Sequence, residues 1–208
     1  MMPPFSPASE RNAEPILARL KPLFADCAEV LEIGSGTGQH AVAFAPAMPQ
    51  LIWHTSDLPQ NHPGILAWLA ARPAPNLRRP VVLDVTDRPW PAQQGIDAVF
   101  SANTAHIMSW LAVCAMFSGV AALLPAGGLF CLYGPFNING RFTSASNREF
   151  HSSLRGRWRH MGIRDRKDLA GLAAHRGLSL TRDWEMPSNN RLLVFARNAG
   201  RGQSKSWS

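Results

Sequence analysis

The chain has 208 residues, of which 46% are hydrophobic, and this suits one domain with a full core better than two domains. Its net charge is +7, from 21 basic and 14 acidic side chains. Such an excess marks either a phosphate-binding surface or a solvated basic face. The solvated face is favoured, because the sequence contains no aromatic-and-basic motif of a known RNA-binding module.

Three cysteines, Cys27, Cys114 and Cys131, have neither zinc-site nor redox-pair spacing. Their odd number argues against a disulfide framework, so we expect a reducing, cytoplasmic setting and no metal centre. Residues 1–12 lack the apolar core of a signal peptide. The apolar tract at 107–133 is interrupted by proline and glycine, which predicts a buried helix and a strand rather than a membrane span.

Short apolar runs alternate with longer helical patterns along the chain. Helices are predicted over 10–24, 39–44, 64–71, 107–124 and 165–177. Strands are predicted over 29–33, 51–55, 80–83, 96–101, 129–133, 178–186 and 191–197, with a turn at 187–190 that joins the last two as a hairpin.

This alternation predicts an α/β, Rossmann-like fold. We expect a mostly parallel seven-stranded sheet with helices on both faces and an antiparallel C-terminal hairpin. A single domain should span 1–197 and begin with a helical lid over about 1–27. Residues 198–208 are rich in Gly, Ser and Lys, which predicts a disordered basic tail.

A glycine-rich turn over residues 34–38 (GSGTG) follows the first predicted strand and precedes a helix. Glycine lets the backbone approach a ligand closely, and the helix start offers free N–H groups, so the turn predicts a nucleotide-like ligand. In the dinucleotide fingerprint G-x-G-x-x-G the third glycine would stand one residue later than Gly38. Glu32, just before the turn, would repel a pyrophosphate but suit a ligand that carries an ammonium group.

Acidic residues also end the second and third predicted strands. Asp57 is suited to hold ribose hydroxyls, and Asp84 is suited either to accept from an adenine amino group or to cap a helix. Ligands of such sheets bind beyond the carboxyl ends of the strands, so these acids should meet the glycine turn and residues 101–106 and 134–139 in one cleft. Dinucleotide binding and a tight connection without a ligand are the alternatives.

The pattern E-x-G-x-G-x-G at 32–38, with Asp57 and Asp84, resembles the S-adenosylmethionine site of class I methyltransferases. The resemblance implies that the turn lies under the amino-acid part of S-adenosylmethionine, with Asp57 on the ribose and Asp84 near the adenine. The residues expected to bind this cofactor lie at the strand ends around the turn: Glu32, Gly34, Ser35, Gly36, Thr37, Gly38, His40, Asp57, Leu58, Asp84, Val85, Ser101 and Asn103.

Four stretches carry a closer resemblance: 9–16 (SERNAEPI), 36–41 (GTGQHA), 133–144 (YGPFNINGRFTS) and 186–190 (MPSNN). Together they look like the family that includes methyltransferase-like protein twenty-six and bacterial proteins of unknown function. The resemblance covers residues 6 to about 197 and implies a class I methyltransferase fold, without supplying a substrate. The loop at 101–107 (SANTAHI) departs from it, since relatives often carry a bulkier Asn-Met-Ile-His-Ile, and this predicts a larger or reshaped pocket.

His106 and Tyr133 are the candidate catalytic residues. His106 follows the fourth predicted strand, where acceptors sit in this superfamily, and is either a base for an acceptor that must lose a proton or a helix-start histidine bonded to backbone. Tyr133, the only tyrosine, either binds the acceptor or orients His106, or it packs as a strand aromatic. Contacts to the acceptor are expected from the N-terminal segment and from the loop after the fifth strand: Arg11, Asn12, Phe136, Asn139 and Arg141.

These features favour methyl transfer from S-adenosylmethionine to a small molecule, by an in-line displacement that depends mainly on positioning. RNA or protein is the alternative acceptor, motivated by the positive charge. The Asn/Asp-Pro-Pro-Tyr motif of amino-directed nucleic-acid methylation is missing after the fourth strand. A third possibility, from another class, is a non-catalytic binder that keeps the cofactor fold as a scaffold or sensor.

Overall fold

A seven-stranded sheet lies at the centre of the protein, and the computed structural model describes residues 3–91 and 95–199. The strands are β1 (Glu29–Ile33), β2 (Ile52–Asp57), β3 (Leu77–Val82), β4 (Ala98–Ala102), β5 (Leu129–Gly134), β6 (Phe136–Asn137), β7 (Arg164–Asp165), β8 (Leu178–Met186) and β9 (Asn190–Arg197). The α-helices are α1 (Pro7–Leu23), α2 (Gln39–Phe44), α3 (His62–Ala71), α4 (Trp110–Leu123), α5 (Ala145–Arg157) and α6 (Arg166–His175). Short 3-10 turns occupy Pro59–Asn61 and Pro187–Asn189.

The spatial order of the large sheet is β3-β2-β1-β4-β5-β9-β8. Strands β1 to β5 are parallel to one another, whereas β9 runs antiparallel to both β5 and β8. The predicted mostly parallel, Rossmann-like sheet with an antiparallel C-terminal hairpin is therefore confirmed. The chain moves outward from β1 to β3 and then returns to β4, so the order reverses between β1 and β4, where ligands of such sheets bind.

Apolar side chains cover both faces of the sheet, because successive residues of a strand point to opposite sides. On one face Phe130 packs with α4, where the rings of Phe117 and Phe130 are 5.3 Å apart. On the other face Phe100 and Cys131 pack with side chains of α1 and α2. Burial on both faces fixes the strand register, and with it the side chains that emerge at the carboxyl edge.

Helix α1 begins at Pro7, earlier than the predicted residue 10, because Ser6 is its N-cap and accepts from the backbone N of Ser9. The backbone N of Ser6 donates to Gln39 Oε1 at 2.5 Å, and Gln39 Nε2 donates to the Ser6 carbonyl at 3.3 Å. This reciprocal pair, the Ser6–Gln39 clasp, ties the start of α1 to the first residue of α2.

Other elements also differ from the sequence-based expectation. Strand β3 begins at Leu77 rather than at residue 80, so Pro80 lies inside it, which is tolerated because β3 is an edge strand. Helix α5 was not predicted, because Asn147 and Leu154 are its only buried residues and it lacks an apolar stripe.

At the first residue of the predicted basic tail, the backbone N of Asn198 donates to the Gly177 carbonyl at 2.9 Å, and the disorder of the tail stays a prediction. Residues 200–208 of that tail lie outside the described part of the chain. Within 3–91 and 95–199, no helix is long and apolar enough to cross a membrane.

Candidate active site

A cavity of about 940 Å³, the main cavity, opens beyond the carboxyl ends of β1 to β5. Its volume is at the upper end of the range for small-molecule sites. It is lined by the glycine turn and α2, by residues after β2, β3, β4 and β5, by the start of α1, by α5, and by the β8–β9 connection. Of the predicted cofactor residues, Gly34, Ser35, Gly36, Thr37, His40, Asp57, Leu58, Asp84, Val85 and Asn103 line it.

The three glycines of the turn all have positive φ but serve different purposes. A Cβ built on Gly36 (φ 58°) would meet nothing within 4 Å, so its bare backbone faces open space in the main cavity. A Cβ on Gly34 would lie 2.6 Å from Thr104 Cγ2, and one on Gly38 would lie 3.1 Å from Ile65 Cα. Gly38 therefore allows α3 to approach and does not line the main cavity, so its role as a cofactor contact stays a prediction.

Asp57 joins the glycine turn to the residues after β2. Its Oδ2 accepts from the backbone N of Gly36 at 2.7 Å, while its Oδ1 accepts from Leu58 N at 2.7 Å and Asn61 Nδ2 at 2.8 Å. A carboxylate has about four acceptor positions, so Asp57 can still accept from a ligand hydroxyl.

Glu32 lies beneath the turn rather than on the wall of the main cavity, where it supports the turn, and its contact with the cofactor stays a prediction. It is 1% exposed and accepts from Ser35 Oγ at 2.9 Å and Trp53 Nε1 at 3.2 Å. Burial raises the pKa of Glu32 to about 7, although these two hydrogen bonds oppose the shift.

Ser101 also lies outside the wall of the main cavity, and its contact with the cofactor stays a prediction. It is fully buried, donates to the Ile33 carbonyl at 2.8 Å and lies 2.7 Å from Thr104 Oγ1. Asp84, by contrast, lies on the cavity wall, and its Oδ1 accepts from the backbone N of Thr86 at 2.8 Å. This hydrogen bonding lowers the pKa of Asp84 and keeps its carboxylate charged.

His40 lines the main cavity from the start of α2. It is 6% exposed, and its ring stacks on Phe44 with the centroids 5.2 Å apart. Burial lowers the pKa of His40 to about 4, although a contact with the Ser9 backbone opposes the shift, so the ring is neutral at physiological pH. Its Nε2 is itself buried and lies away from the cavity surface.

Asn103 and His106 converge beside the bare backbone of Gly134. A Cβ built on Gly134 would lie 3.8 Å from His106 Nδ1 and 3.9 Å from Asn103 Oδ1. Asn103 has φ 60°, and its backbone N donates to the Tyr133 carbonyl at 2.8 Å. Because this loop ends β4 next to β5, both polar side chains face the part of the main cavity away from Asp84.

His106 is buried, lines the main cavity, and packs edge-on against Phe150 of α5, with ring centroids 5.2 Å apart. Burial, with a smaller contribution from the Arg164 charge, lowers the pKa of His106 to about 4. The imidazole is therefore neutral near pH 7 and able to accept a hydrogen bond or a proton.

Tyr133 does not line the main cavity. It is 1% exposed and packs in the apolar layer on the α1 and α2 face of the sheet. Burial raises the pKa of Tyr133 to about 12, and a contact of its hydroxyl with the side chain of Asn190, which lines the main cavity, opposes the shift. This packing is that of a strand aromatic, and the catalytic role of Tyr133 stays a prediction.

The five predicted acceptor contacts fall into three places. Arg11 and Asn12 line the main cavity from α1. Phe136 is 1% exposed and belongs to the core, where it does not reach a cavity wall. Asn139 and Arg141 line a different cavity of about 740 Å³, the second cavity.

Helix α5 supplies cavity residues that the sequence analysis missed, namely Ser146, Asn147 and Phe150. Asn147 is 6% exposed, and its Nδ2 donates to Thr143 Oγ1 at 2.8 Å and to the Asn189 carbonyl at 3.0 Å. The sequence feature that marks the start of the helix is its N-cap serine, because Ser144 Oγ accepts from the backbone N of Asn147 at 3.1 Å. Among residues 3–91 and 95–199, no three His, Cys, Asp or Glu side chains group as metal ligands.

The strand order, the reversal at β1 and β4 and the glycine turn define a class I methyltransferase fold. The chain belongs to the family described as "Protein of unknown function (DUF938)", whose model matches residues 3–197. This match does not name the methyltransferase-like protein twenty-six family, so that resemblance stays a prediction.

Solved methyltransferases share this fold at low sequence identity. An O-methyltransferase family protein from Burkholderia thailandensis is 18% identical with a TM-score of 0.78, and the match covers 93% of this chain and 58% of that one. Human N-acetylserotonin methyltransferase, solved with S-adenosylmethionine, is 12% identical with a TM-score of 0.77, over 92% of this chain and 53% of that one.

NcsB1, an O-methyltransferase from neocarzinostatin biosynthesis, was solved with S-adenosylmethionine and 2-hydroxy-5-methyl naphthoic acid. It is 17% identical with a TM-score of 0.76, over 91% of this chain and 54% of that one. The present chain thus spans little more than half the length of these structures, and the likeness shows the fold.

Proposed function

We propose that this protein binds S-adenosylmethionine in the main cavity and transfers its methyl group to a hydroxyl of a small molecule. The observation that carries the proposal is one continuous cavity that joins the glycine turn to a buried, neutral histidine. The O-methyltransferases that share the fold support it, as does the resemblance to the methyltransferase-like protein twenty-six family. The free thiols Cys27, Cys114 and Cys131 support a reducing compartment such as the cytoplasm.

The cofactor half of the main cavity suits an adenosyl sulfonium compound. Gly36 leaves room for close approach, Asp57 can accept from ribose hydroxyls, and the neutral ring of His40 contributes to the wall. Asp84 lies at the far end, where its charged carboxylate can accept from an amino group such as that of adenine. When bound, S-adenosylmethionine supplies a methyl group on a positively charged sulfur, and the neutral thioether is the leaving group.

The acceptor half positions a hydroxyl and excludes water. His106, neutral because of its burial, can accept the hydrogen bond of the acceptor hydroxyl and then its proton. Ile107, Met108 and Phe150 form apolar walls beside it. Orientation in such an enclosed site is worth roughly 7–11 kcal/mol, so a weakly basic histidine is sufficient when alignment does most of the catalysis.

A methyl-transfer assay tests this proposal. The protein is incubated with methyl-labelled S-adenosylmethionine and a panel of hydroxyaromatic compounds, and both labelled product and S-adenosylhomocysteine are measured. We expect release of S-adenosylhomocysteine that depends on the acceptor. Cofactor binding without methyl transfer to any hydroxyl, amine or thiol acceptor would contradict the proposed enzymatic activity. It would support the alternative, a non-catalytic cofactor-binding protein.

RNA is a second candidate acceptor, favoured by a basic surface beside the mouth of the main cavity. Trp158 at the end of α5 is 59% exposed and stacks on His160, which lines the main cavity. Arg155, Arg157 and Arg159 surround it in the sequence. Salt-dependent retention of a single-stranded RNA, lost in Trp158→Ala, would support this acceptor, and no retention at low salt would remove it.

A further inference from the structure

We propose that the second cavity is a distal subsite that binds an oxyanion of the methyl acceptor, with Arg141 as its cation. The inference rests on the proposed function, because the other end of the same molecule would present its hydroxyl to His106. It assigns the acceptor to a chemical class: an elongated hydroxy compound that carries a carboxylate or similar oxyanion far from the reacting hydroxyl.

The two cavities are adjacent and share one wall residue. Asn190 lines both of them. The hydrogen bonds from Asn147 Nδ2 to Thr143 Oγ1 (2.8 Å) and to the Asn189 carbonyl (3.0 Å) form the rest of the partition, since Asn147 lines the main cavity while Thr143 and Asn189 line the second. Asn190 is therefore the place where a ligand of the main cavity comes nearest to the second cavity, and a ligand that occupies both must pass beside it.

Charge favours an anion at the distal end. The acidic residues that line the main cavity are Asp57 and Asp84, and both lie in the cofactor half. Among residues 3–91 and 95–199, no carboxylate lines the acceptor half, so that half offers no negative charge to balance a cationic acceptor. The second cavity contains two arginines, Arg141 and Arg191, against one acid, Glu185.

Of the two arginines, Arg141 is the one available to a ligand. Arg191 Nε is 2.6 Å from Asp183 Oδ1, and its Nη1 is 3.4 Å from Glu185 Oε1, so its charge is already balanced. The guanidinium of Arg141 makes no ion pair or side-chain hydrogen bond with any residue that the structure describes. A planar guanidinium matches the two oxygens of a carboxylate in a bidentate arrangement.

The backbone that carries Arg141 is fixed before any ligand arrives. Ile138 and Arg141 exchange two backbone hydrogen bonds of 3.0 and 3.1 Å, and Asn139 and Gly140 between them have φ 51° and 76°, as a type I′ turn requires. The backbone N of Gly140 also donates to Asp165 Oδ2 at 2.5 Å. A fixed turn lowers the entropy cost of binding, because only the Arg141 side chain must be ordered.

The test uses calorimetry with matched pairs of probes on the full chain, in the presence and absence of S-adenosylhomocysteine. Each pair is a para-hydroxyphenyl alkanoate and its primary amide, with linkers of increasing length. We expect that above one linker length the acid binds on the order of tenfold more tightly than the amide, because a hydrogen-bonded charge pair replaces a neutral contact. Arg141→Gln should remove this preference.

Two variants serve as comparisons. Arg72→Gln removes an exposed arginine after α3 that lines neither cavity, and it should keep the acid preference. Arg11→Gln removes the arginine of the main cavity. Loss of the acid preference in Arg11→Gln together with its retention in Arg141→Gln would overturn the subsite, as would equal binding of acid and amide by the unaltered protein.

Failure of the subsite and failure of the proposed function give different results. Binding of S-adenosylhomocysteine without any acid preference overturns the subsite alone. An Arg141-dependent acid preference without binding of S-adenosylhomocysteine contradicts the cofactor assignment and supports an anion site at Arg141. Absence of both signals contradicts both.

Discussion

Glu32 supports the glycine turn from below, and its burial gives the protein a characteristic pH dependence. The pKa of Glu32 is about 7 in the folded state, whereas the ordinary pKa of a glutamate is 4.5. Between these values the unfolded state binds fewer protons than the folded state, so the Glu32 contribution to stability falls as pH rises and is fully lost above pH 7.

Glu32→Gln should remove this contribution while it keeps the hydrogen-bonding shape of the side chain. In the unaltered protein, ionisation of Glu32 should make the free energy of unfolding about 3 kcal/mol lower at pH 8 than at pH 5. This contribution to the difference should be absent in the variant. Urea unfolding at the two pH values measures it. Identical pH dependence in the variant and the unaltered protein would show that Glu32 is ionised in the folded state throughout.

His106 is the residue on which the proposed chemistry depends most. His106→Asn should lower kcat by roughly a hundredfold if the histidine accepts the acceptor proton, while S-adenosylhomocysteine binds as before. Because burial lowers the pKa of His106 to about 4, the rate should stay level from pH 8 to pH 5 and fall only below that. His175→Gln, at the end of α6, is the control. An unchanged kcat in His106→Asn would reduce His106 to a wall residue.

At the scale of elements, the start of α1 closes one side of the main cavity through the Ser6–Gln39 clasp. Gln39→Ala removes both hydrogen bonds of the clasp, and each is worth about 1 kcal/mol, so bound S-adenosylhomocysteine should dissociate roughly thirtyfold faster. Stopped-flow release measures the effect. The control is Gln50→Ala, because Gln50 Nε2 donates to the Phe24 carbonyl at 3.3 Å and secures the opposite end of α1. Equal release rates in the two variants would exclude a lid role for the clasp.

The elements that the sequence predicted well are those with a strong periodic pattern. Strands β1 and β5 are buried along nearly their whole length, and α4 is apolar on most of its surface, so their residues show the pattern of the element. Helix α5 was missed because its polar residues face solvent or a cavity, and neither setting produces an apolar stripe.

The site was predictable in part for the same reason. Residues at or shortly after the carboxyl end of a strand, such as Asp57, Asp84 and His106, lie on the main cavity wall as the rule for parallel sheets requires. What the sequence does not show is which way a side chain turns at the strand end. Glu32 accepts a hydrogen bond from Trp53 in the apolar layer on the α1 and α2 face, and Tyr133 packs in the same layer.

At the scale of the whole molecule, the order of the strands brings distant parts of the chain to one edge. The reversal between β1 and β4 leaves room for the cofactor half of the main cavity, and the antiparallel β8–β9 hairpin carries Asn190 to the acceptor half. The second cavity then continues from Asn190 toward Arg141. This arrangement separates a cofactor end that contains the lining carboxylates from an acceptor end that is neutral to basic.

The central claim is that the bare backbone of Gly36 receives S-adenosylmethionine. Calorimetric titration with S-adenosylmethionine, S-adenosylhomocysteine and NAD tests it, in the unaltered protein, in Gly36→Val and in Gly127→Val. Gly127 is the matched control, because its φ is also positive, at 82°, and a Cβ there would also meet nothing within 4 Å, yet it does not line the main cavity. We predict that the unaltered protein and Gly127→Val bind both sulfur compounds but not NAD, and that Gly36→Val binds neither sulfur compound. Binding of NAD without binding of S-adenosylmethionine would contradict the account.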